Sequence, residues 1–385
     1  MGSAPGQLSA RKKLVFSMIL CGFIFLVLAL SINLAAFLPL SRANYHYFKT
    51  EGAIIKGKIF QYDPLLGIVP IPGSQGAYVY PGGYEVPVRF DQYGFRAPMD
   101  SPQSSALKRP IILVLGDSYS FGFGVRAEDT YAYLLGRQLK ATSLNAARPG
   151  YGLAQMTILA RQLIPKFKPD LVVVQFSPWL VDRAKSPISD WTVVRLANPY
   201  FAYERGGGVS IQPPVFQTDF GQYTPAKYRY SPETMRDYLS FLKETGWPLF
   251  LNNNIHIPIY HLKKWLRLIP PPVSQTEKIT EAAYGEMNEL CRQNQARMMV
   301  VIMTDPVISR KPTEAEITSL RSVSLATIIN TEPAFFKALP VQTRDAYSRT
   351  YKIYSADGKV CIDKHINASA HRLILSEIAR GLNDF

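Results

Sequence analysis

Gly116-Asp117-Ser118 follows directly on the apolar run Ile111–Leu115. A serine so placed sits at the carboxyl end of a buried strand, where open α/β sheets bind their ligands. A lone hydroxyl is a weak nucleophile and needs a base to take its proton. The chain has five histidines, and His365 follows Asp363 closely near the C-terminus. Ser118, Asp363 and His365 are therefore candidate catalytic residues for a serine hydrolase or acyltransferase. In that chemistry His365 removes the Ser118 proton, Asp363 orients the ring, and an acyl group passes through the serine.

An acyl transfer also needs donors for the oxyanion. Asn145–Gly152 follows the next apolar segment and contains Gly150. A glycine there lets the backbone approach a ligand, so the N–H groups of Ser118 and Gly150 are the candidate oxyanion donors. Asp117, Trp179 and Asn367 border the same crevice and are candidate substrate contacts.

The elements that must position these groups follow from periodicity. Ile111–Leu115, Ser143–Ala146, Leu171–Gln175 and Met298–Met303 read as strands. Helical spacing falls from a cap at Asp129 to about Leu139, and over Leu153–Phe167, Lys278–Gln295 and Ala368–Leu382. Apolar strands separated by helices imply a largely parallel sheet covered on both faces. Before them, residues 45–108 read as a small β-rich extension, with two extended pieces around the Pro81-Gly82-Gly83 turn.

The rhythm is lost between about 177 and 273, an insertion beside the site. Within it Ile259, Leu262, Trp265, Leu266 and Ile269 fall on one helical face, with Lys263, Lys264 and Arg267 largely opposite. Two readings fit this segment: a helix lying on a membrane, or a lid packed on its own domain.

These blocks resemble the SGNH (GDSL-type) hydrolase superfamily, from about Phe60 to the C-terminus apart from the insertion. Tyr62–Gly67 and Asp91–Arg96 are similar to the lead-in of its membrane-anchored bacterial members. The resemblance implies a three-layer α/β/α flavodoxin-like sheet, Ser118 as nucleophile, Gly150 as oxyanion donor, and Asp363 with His365 as acid and base. One part departs from the pattern. Trp179 stands about where the family's third block places an asparagine. Losing one oxyanion donor costs about 10²–10³ in turnover. Asn252, Asn253 and Asn254 are candidate replacements, and Asp357 is a fallback acid. The last block is Asp-x-His, tighter than the common Asp-x-x-His. Exopolysaccharide O-acetyltransferases of the superfamily share the membrane tether, so the resemblance admits transfer as well as hydrolysis.

The remaining features bound the setting. Leu14 to Ser41 carries no charge and is long enough to cross a bilayer, which needs about 20 apolar residues. Arg11, Lys12 and Lys13 precede it, which predicts a cytoplasmic tail (1–13), an uncleaved signal anchor (14–40) in the inner membrane, and a periplasmic or extracellular remainder (109–385 being catalytic). A cleaved signal peptide is the competing reading, poorly served by Ala35-Ala36 as a cleavage site. The formal charge of +14 is spread along the chain without a dense run, arguing against nucleic acid. Cys291 and Cys361 are free to pair or to be buried thiols. His256 and His261 make a poor metal pair, and His371 faces outward or supports packing in the last helix. No metal or cofactor is implied. The expected partners are an acyl ester of a glycan or lipid, and the membrane. The alternative is a degenerate member that binds glycan or scaffolds an envelope complex.

Overall fold

The computed structural model describes residues 9–50, 53–101, 107–191, 194–217, 234–323, 327–355 and 357–383. Ile111–Leu115 (β7) and Leu171–Phe176 (β9) are buried at every position. Strands of this kind are stable only with both faces covered. They sit at the centre of the main sheet. The parallel part is Thr142–Asn145 (β8), β7, β9, Arg297–Ile302 (β14) and Thr327–Asn330 (β15). Numbered by their own succession these run 2-1-3-4-5, the flavodoxin-like order.

Alternate residues of each strand point to opposite layers. Leu113, Leu115, Val172, Val174 and Val300 pack with Leu153–Phe167 (α4) and the helix Thr276–Gln293. Ile112, Val114, Val173, Met299 and Val301 pack with Tyr131–Gln138 (α3) and the C-terminal helix Ala368–Asn383. The result is the three-layer α/β/α arrangement expected. The N-cap of α3 is Thr130 rather than Asp129, its side chain accepting the Tyr133 N–H.

The β-rich extension is not a separate body laid on this core. Ile54–Lys56 (β1), Gln75–Val79 (β4), Glu85–Phe90 (β5) and Arg96–Ala97 (β6) continue the same sheet as an antiparallel wing, joined where Arg96 pairs with Asn145. β4 and β5 flank Pro81–Gly83 as the turn residues require. A short hairpin, Phe60–Asp63 (β2) with Gly67–Pro70 (β3), lies beside them.

The insertion leaves the carboxyl end of β9 as the helix Pro178–Ala184 (α5). Two hairpins follow, Ile188–Trp191 with Val194–Ala197 (β10, β11) and Tyr200–Tyr203 with Val209–Gln212 (β12, β13). A helical run from Met235 to Trp265 then includes π turns at Leu242–Gly246 and Asn252–His256. At the other end of the chain, Ala10–Thr50 (α1) forms a 41-residue helix, long and apolar enough to cross a membrane. It extends past the expected anchor. Cys291 is buried, Cys361 is exposed, and both are free.

His371 does not face outward. It is fully buried between the C-terminal helix and α3, stacked on Tyr131, and its Nδ1 accepts the Tyr131 N–H at 3.3 Å. Burial, with a smaller push from the Arg96 charge, lowers its imidazole to about 3 from an ordinary 6.5. Below pH 6.5 the unfolded chain takes up a proton that the folded chain refuses, so stability falls as pH falls. Between pH 6.5 and 5 this loss is about 2 kcal/mol. Urea unfolding across that range should show a shallower acid slope for His371→Gln than for the wild type; parallel slopes would refute the assignment.

Candidate active site

Ser118 opens Ser118–Phe121 (α2), a single helical turn whose cap, Asp117, accepts the Tyr119 N–H. The turn stands at the carboxyl end of β7, beside the end of β9. This is the point where the strand order reverses and where such sheets form a crevice. As the first residue of α2, Ser118 keeps its own N–H out of the helix hydrogen bonds.

The candidate acid and base, Asp363 and His365, arrive on an antiparallel hairpin, Lys352–Tyr354 (β16) with Cys361–Ile366 (β17). His365 Nδ1 lies 2.6 Å from Asp363 Oδ1, which also accepts the His365 backbone N–H at 2.7 Å. One carboxylate oxygen thus fixes both the ring and its backbone. With the proton on Nδ1, Nε2 is left as the acceptor. Burial alone would raise the Asp363 carboxyl, but the His365 ring and N–H outweigh it and hold it below its ordinary value. The imidazole packs against Phe123, centroids 4.6 Å apart, and against Tyr119 at 5.7 Å. It therefore lies over the turn that carries Ser118. Gly124 permits this approach, since a Cβ there would come within 2.2 Å of Ile353 on the hairpin. Among the described residues Ser118 Oγ has no hydrogen-bond partner.

The expected oxyanion loop is held to the same turn. The Arg148 N–H donates to Gly116 O at 3.1 Å, and Gly150 adopts a φ of 82°, a left-handed conformation natural to glycine. Among the described residues neither the Ser118 nor the Gly150 N–H is given a backbone acceptor.

Asp117 and Trp179 do something else. Asp117 is fully buried, and its carboxylate accepts from the Tyr119 N–H, Gln175 Nε2, Trp179 Nε1 at 2.6 Å and Arg183 Nη1 at 2.8 Å. It faces the protein rather than a ligand. The Trp179 N–H is committed to Asp117, so the indole stands in for the missing asparagine in sequence but not as an oxyanion donor. Asn367 is likewise structural: its Oδ1 accepts the Ser369 and Ala370 N–H groups at the start of the last helix, and its Nδ2 donates to Thr350 and Lys352 carbonyls. Asn252, Asn253 and Asn254 form a π turn in the insertion, Asn254 donating back to Phe250 O. Asp357 is a turn residue bonded to Ser355 and to the Lys359 N–H.

Residues outside the motifs complete the site. Gln175 Oε1 accepts from the Asp117 N–H and from Ser120 Oγ, joining β9 to the serine turn. Behind the turn, Asp305 accepts from both the Tyr119 hydroxyl and the Lys352 ammonium, with the lysine and aspartate side chains wholly buried. Burial draws the Lys352 ammonium below its ordinary value, against the pull of Asp305. An apolar flank at Lys352 gave no sign of this in sequence, whereas the Asn367 cap was readable from its place before the last helix.

No protein-family model matches the sequence, and no curated protein is similar to it. Three solved structures similar to the chain are the following. The crystal structure of TesA has 14% identity, covers 71% of this chain and 98% of that one, and gives a TM-score of 0.33. The psychrotrophic esterase EstA from Pseudoalteromonas sp. has 12% identity over 71% of this chain and 97% of that one, with a TM-score of 0.35. A catalytic mutant of Axe2, an acetylxylan esterase from Geobacillus stearothermophilus, has 9% identity over 72% and 95%, with a TM-score of 0.33. What the site can do rests on its own residues.

Removing one member of a buried ion pair leaves the other charged and unsolvated, at a cost of about 3–5 kcal/mol. Lys352→Met should lose roughly that much unfolding free energy, and adding Asp305→Leu should restore a large part of it. Additive losses in the double variant would show that Lys352 and Asp305 do not act as a pair.

Proposed function

We propose that the chain is a membrane-anchored serine esterase or O-acyltransferase of the SGNH type, acting on acyl esters of glycans or lipids. The observation that carries this reading is the Asp363–His365 pair, set over the turn that presents Ser118. His365 Nε2 takes the Ser118 proton as Oγ attacks the ester carbonyl. The oxyanion is met by the Ser118 and Gly150 N–H groups, and the leaving alkoxide takes the proton back from His365. Water or an acceptor hydroxyl, activated by the same nitrogen, then releases the acyl group and restores the serine. Hydrolysis and transfer differ only in that second step.

The anchor reading is supported by the length and apolarity of α1, and the basic residues Arg11, Lys12 and Lys13 favour placing its N-terminus in the cytoplasm. In this reading α1 spans the inner membrane once, and the sheet lies on the periplasmic or extracellular side. The engagement of Trp179 by Asp117 favours a second reading, a site that binds acylated glycan without turning it over.

Labelling of the full chain in detergent by a fluorophosphonate probe separates the two. The expected result is labelling of the wild type, abolished in Ser118→Ala, which lacks the oxygen the probe bonds to, and slowed by about 10³-fold or more in His365→Ala. A folded wild-type chain that takes no label would leave the binding reading standing.

A further inference from the structure

The helical run from Met235 to Trp265 presents one face that its own fold does not cover. Phe241, Asn252, Ile257 and Tyr260 are turned inward. Trp247, Leu251, Ile255, Ile259, Leu262 and Leu266, spaced by four or three residues, are each between 45% and 53% exposed, and Trp265 beside them is 77% exposed. A lid packed on its own domain would bury this stripe. A soluble surface seldom carries a contiguous apolar patch of this kind without a partner.

Where the stripe begins says what the partner is. The run packs on α1 through Phe37, Ser41 and Tyr45, the α1 side chains that the rest of the protein buries. Phe37 meets Trp247 at 5.2 Å and Phe250 at 5.0 Å, Tyr45 meets Phe241 at 5.2 Å, and the Tyr238 hydroxyl donates to Leu38 O at 3.2 Å. This seam falls at the C-terminal end of the apolar surface of α1, whose side chains from Leu14 to Leu40 are otherwise exposed. A 41-residue helix is about 60 Å long, and a bilayer core accounts for about half of that. The far end of the apolar stretch is thus the level at which α1 leaves the lipid, and the exposed stripe departs from that level. Lys263, Lys264 and Arg267 flank it, all exposed and without an ion-pair partner among the described residues. Exposed tryptophans with flanking cations are the features of a helix lying at an anionic interface.

We propose that this stripe docks on the lipid surface of the leaflet from which α1 emerges, a second membrane contact that holds the catalytic body against the bilayer. The inference rests on the anchor reading above, so the test must distinguish failure of one from failure of the other. The full chain is reconstituted in vesicles of phosphatidylcholine with a minority of phosphatidylglycerol, with Cys21 and Cys361 replaced by serine. Nitroxide labels are placed singly through Leu26→Cys, Ile259→Cys and Leu262→Cys. Collision with oxygen and with a water-soluble nickel chelate reports whether each site meets lipid or water. The expected result is that positions 259 and 262 resemble position 26, oxygen-rich and several-fold protected from nickel. They should lose part of that protection in vesicles lacking phosphatidylglycerol. Nickel access at 259 and 262 with position 26 protected would overturn the docking and leave the anchor standing. Nickel access at position 26 would overturn both. Protection accompanied by dipolar broadening between labels would assign the face to a second copy of the chain.

Discussion

A buried carboxylate without counter-charge or hydrogen bonds is not tolerated in a protein interior, and Asp117 meets that constraint by drawing four donors onto itself. The donors come from three places: the serine turn, the end of β9 and α5. Arg183, which supplies one of them, also donates to the Tyr151 carbonyl at 2.9 Å, next to Gly150. The proposed nucleophile, oxyanion loop and crevice wall are therefore positioned by one charge. Trp179 belongs to this arrangement. Its ring packs on Tyr119 with centroids 5.1 Å apart, and its N–H holds the carboxylate. An asparagine at that position would lack the ring that makes this contact with Tyr119.

The hairpin that carries the proposed acid and base depends on a second buried charge. Asp305 follows β14, Tyr119 follows the serine, and Lys352 begins the hairpin that carries Asp363 and His365. These three side chains tie the hairpin to the sheet and to the serine turn at a single point. A hairpin held only by its own ladder would have no fixed distance to β7. The register is irregular on both sides of Ile353, so the ladder by itself is a loose constraint. The cross-link through Asp305 supplies what the irregular ladder does not.

Much of this was legible in the residues. Strands apolar at every position announced a parallel sheet, and Gly116-Asp117-Ser118 announced the turn at the carboxyl end of β7. What escaped were features set by distant partners. Nothing local distinguishes Lys352 from a solvated lysine, because its partner Asp305 is remote in the chain and only the fold brings them together. Asp117 looks like a ligand contact because it adjoins the serine, and Trp179 because it stands where an asparagine is expected past β9, yet each satisfies the other. The wing joined the sheet for a reason periodicity does not carry: β8 presents an open edge, and Arg96 opposite Asn145 closes it. The helical run of the insertion was read only over its last turns, although its exposed apolar positions keep helical spacing from Trp247 onward through the second π turn.

The insertion's place in the chain also links the site to the anchor. In a parallel sheet a crossover leaves at the carboxyl end of one strand and returns at the amino end of the next, so a long crossover after β9 must emerge beside the crevice. Here it begins with α5, which carries Trp179, and later packs on α1. The Val273 N–H donates to Phe201 O and the Tyr203 N–H to Pro271 O, which stitches the end of the helical run to the β12–β13 hairpin and thence to the core. The helix α5 beside the serine turn, the helical run and the seam with α1 are thus successive parts of one connected crossover.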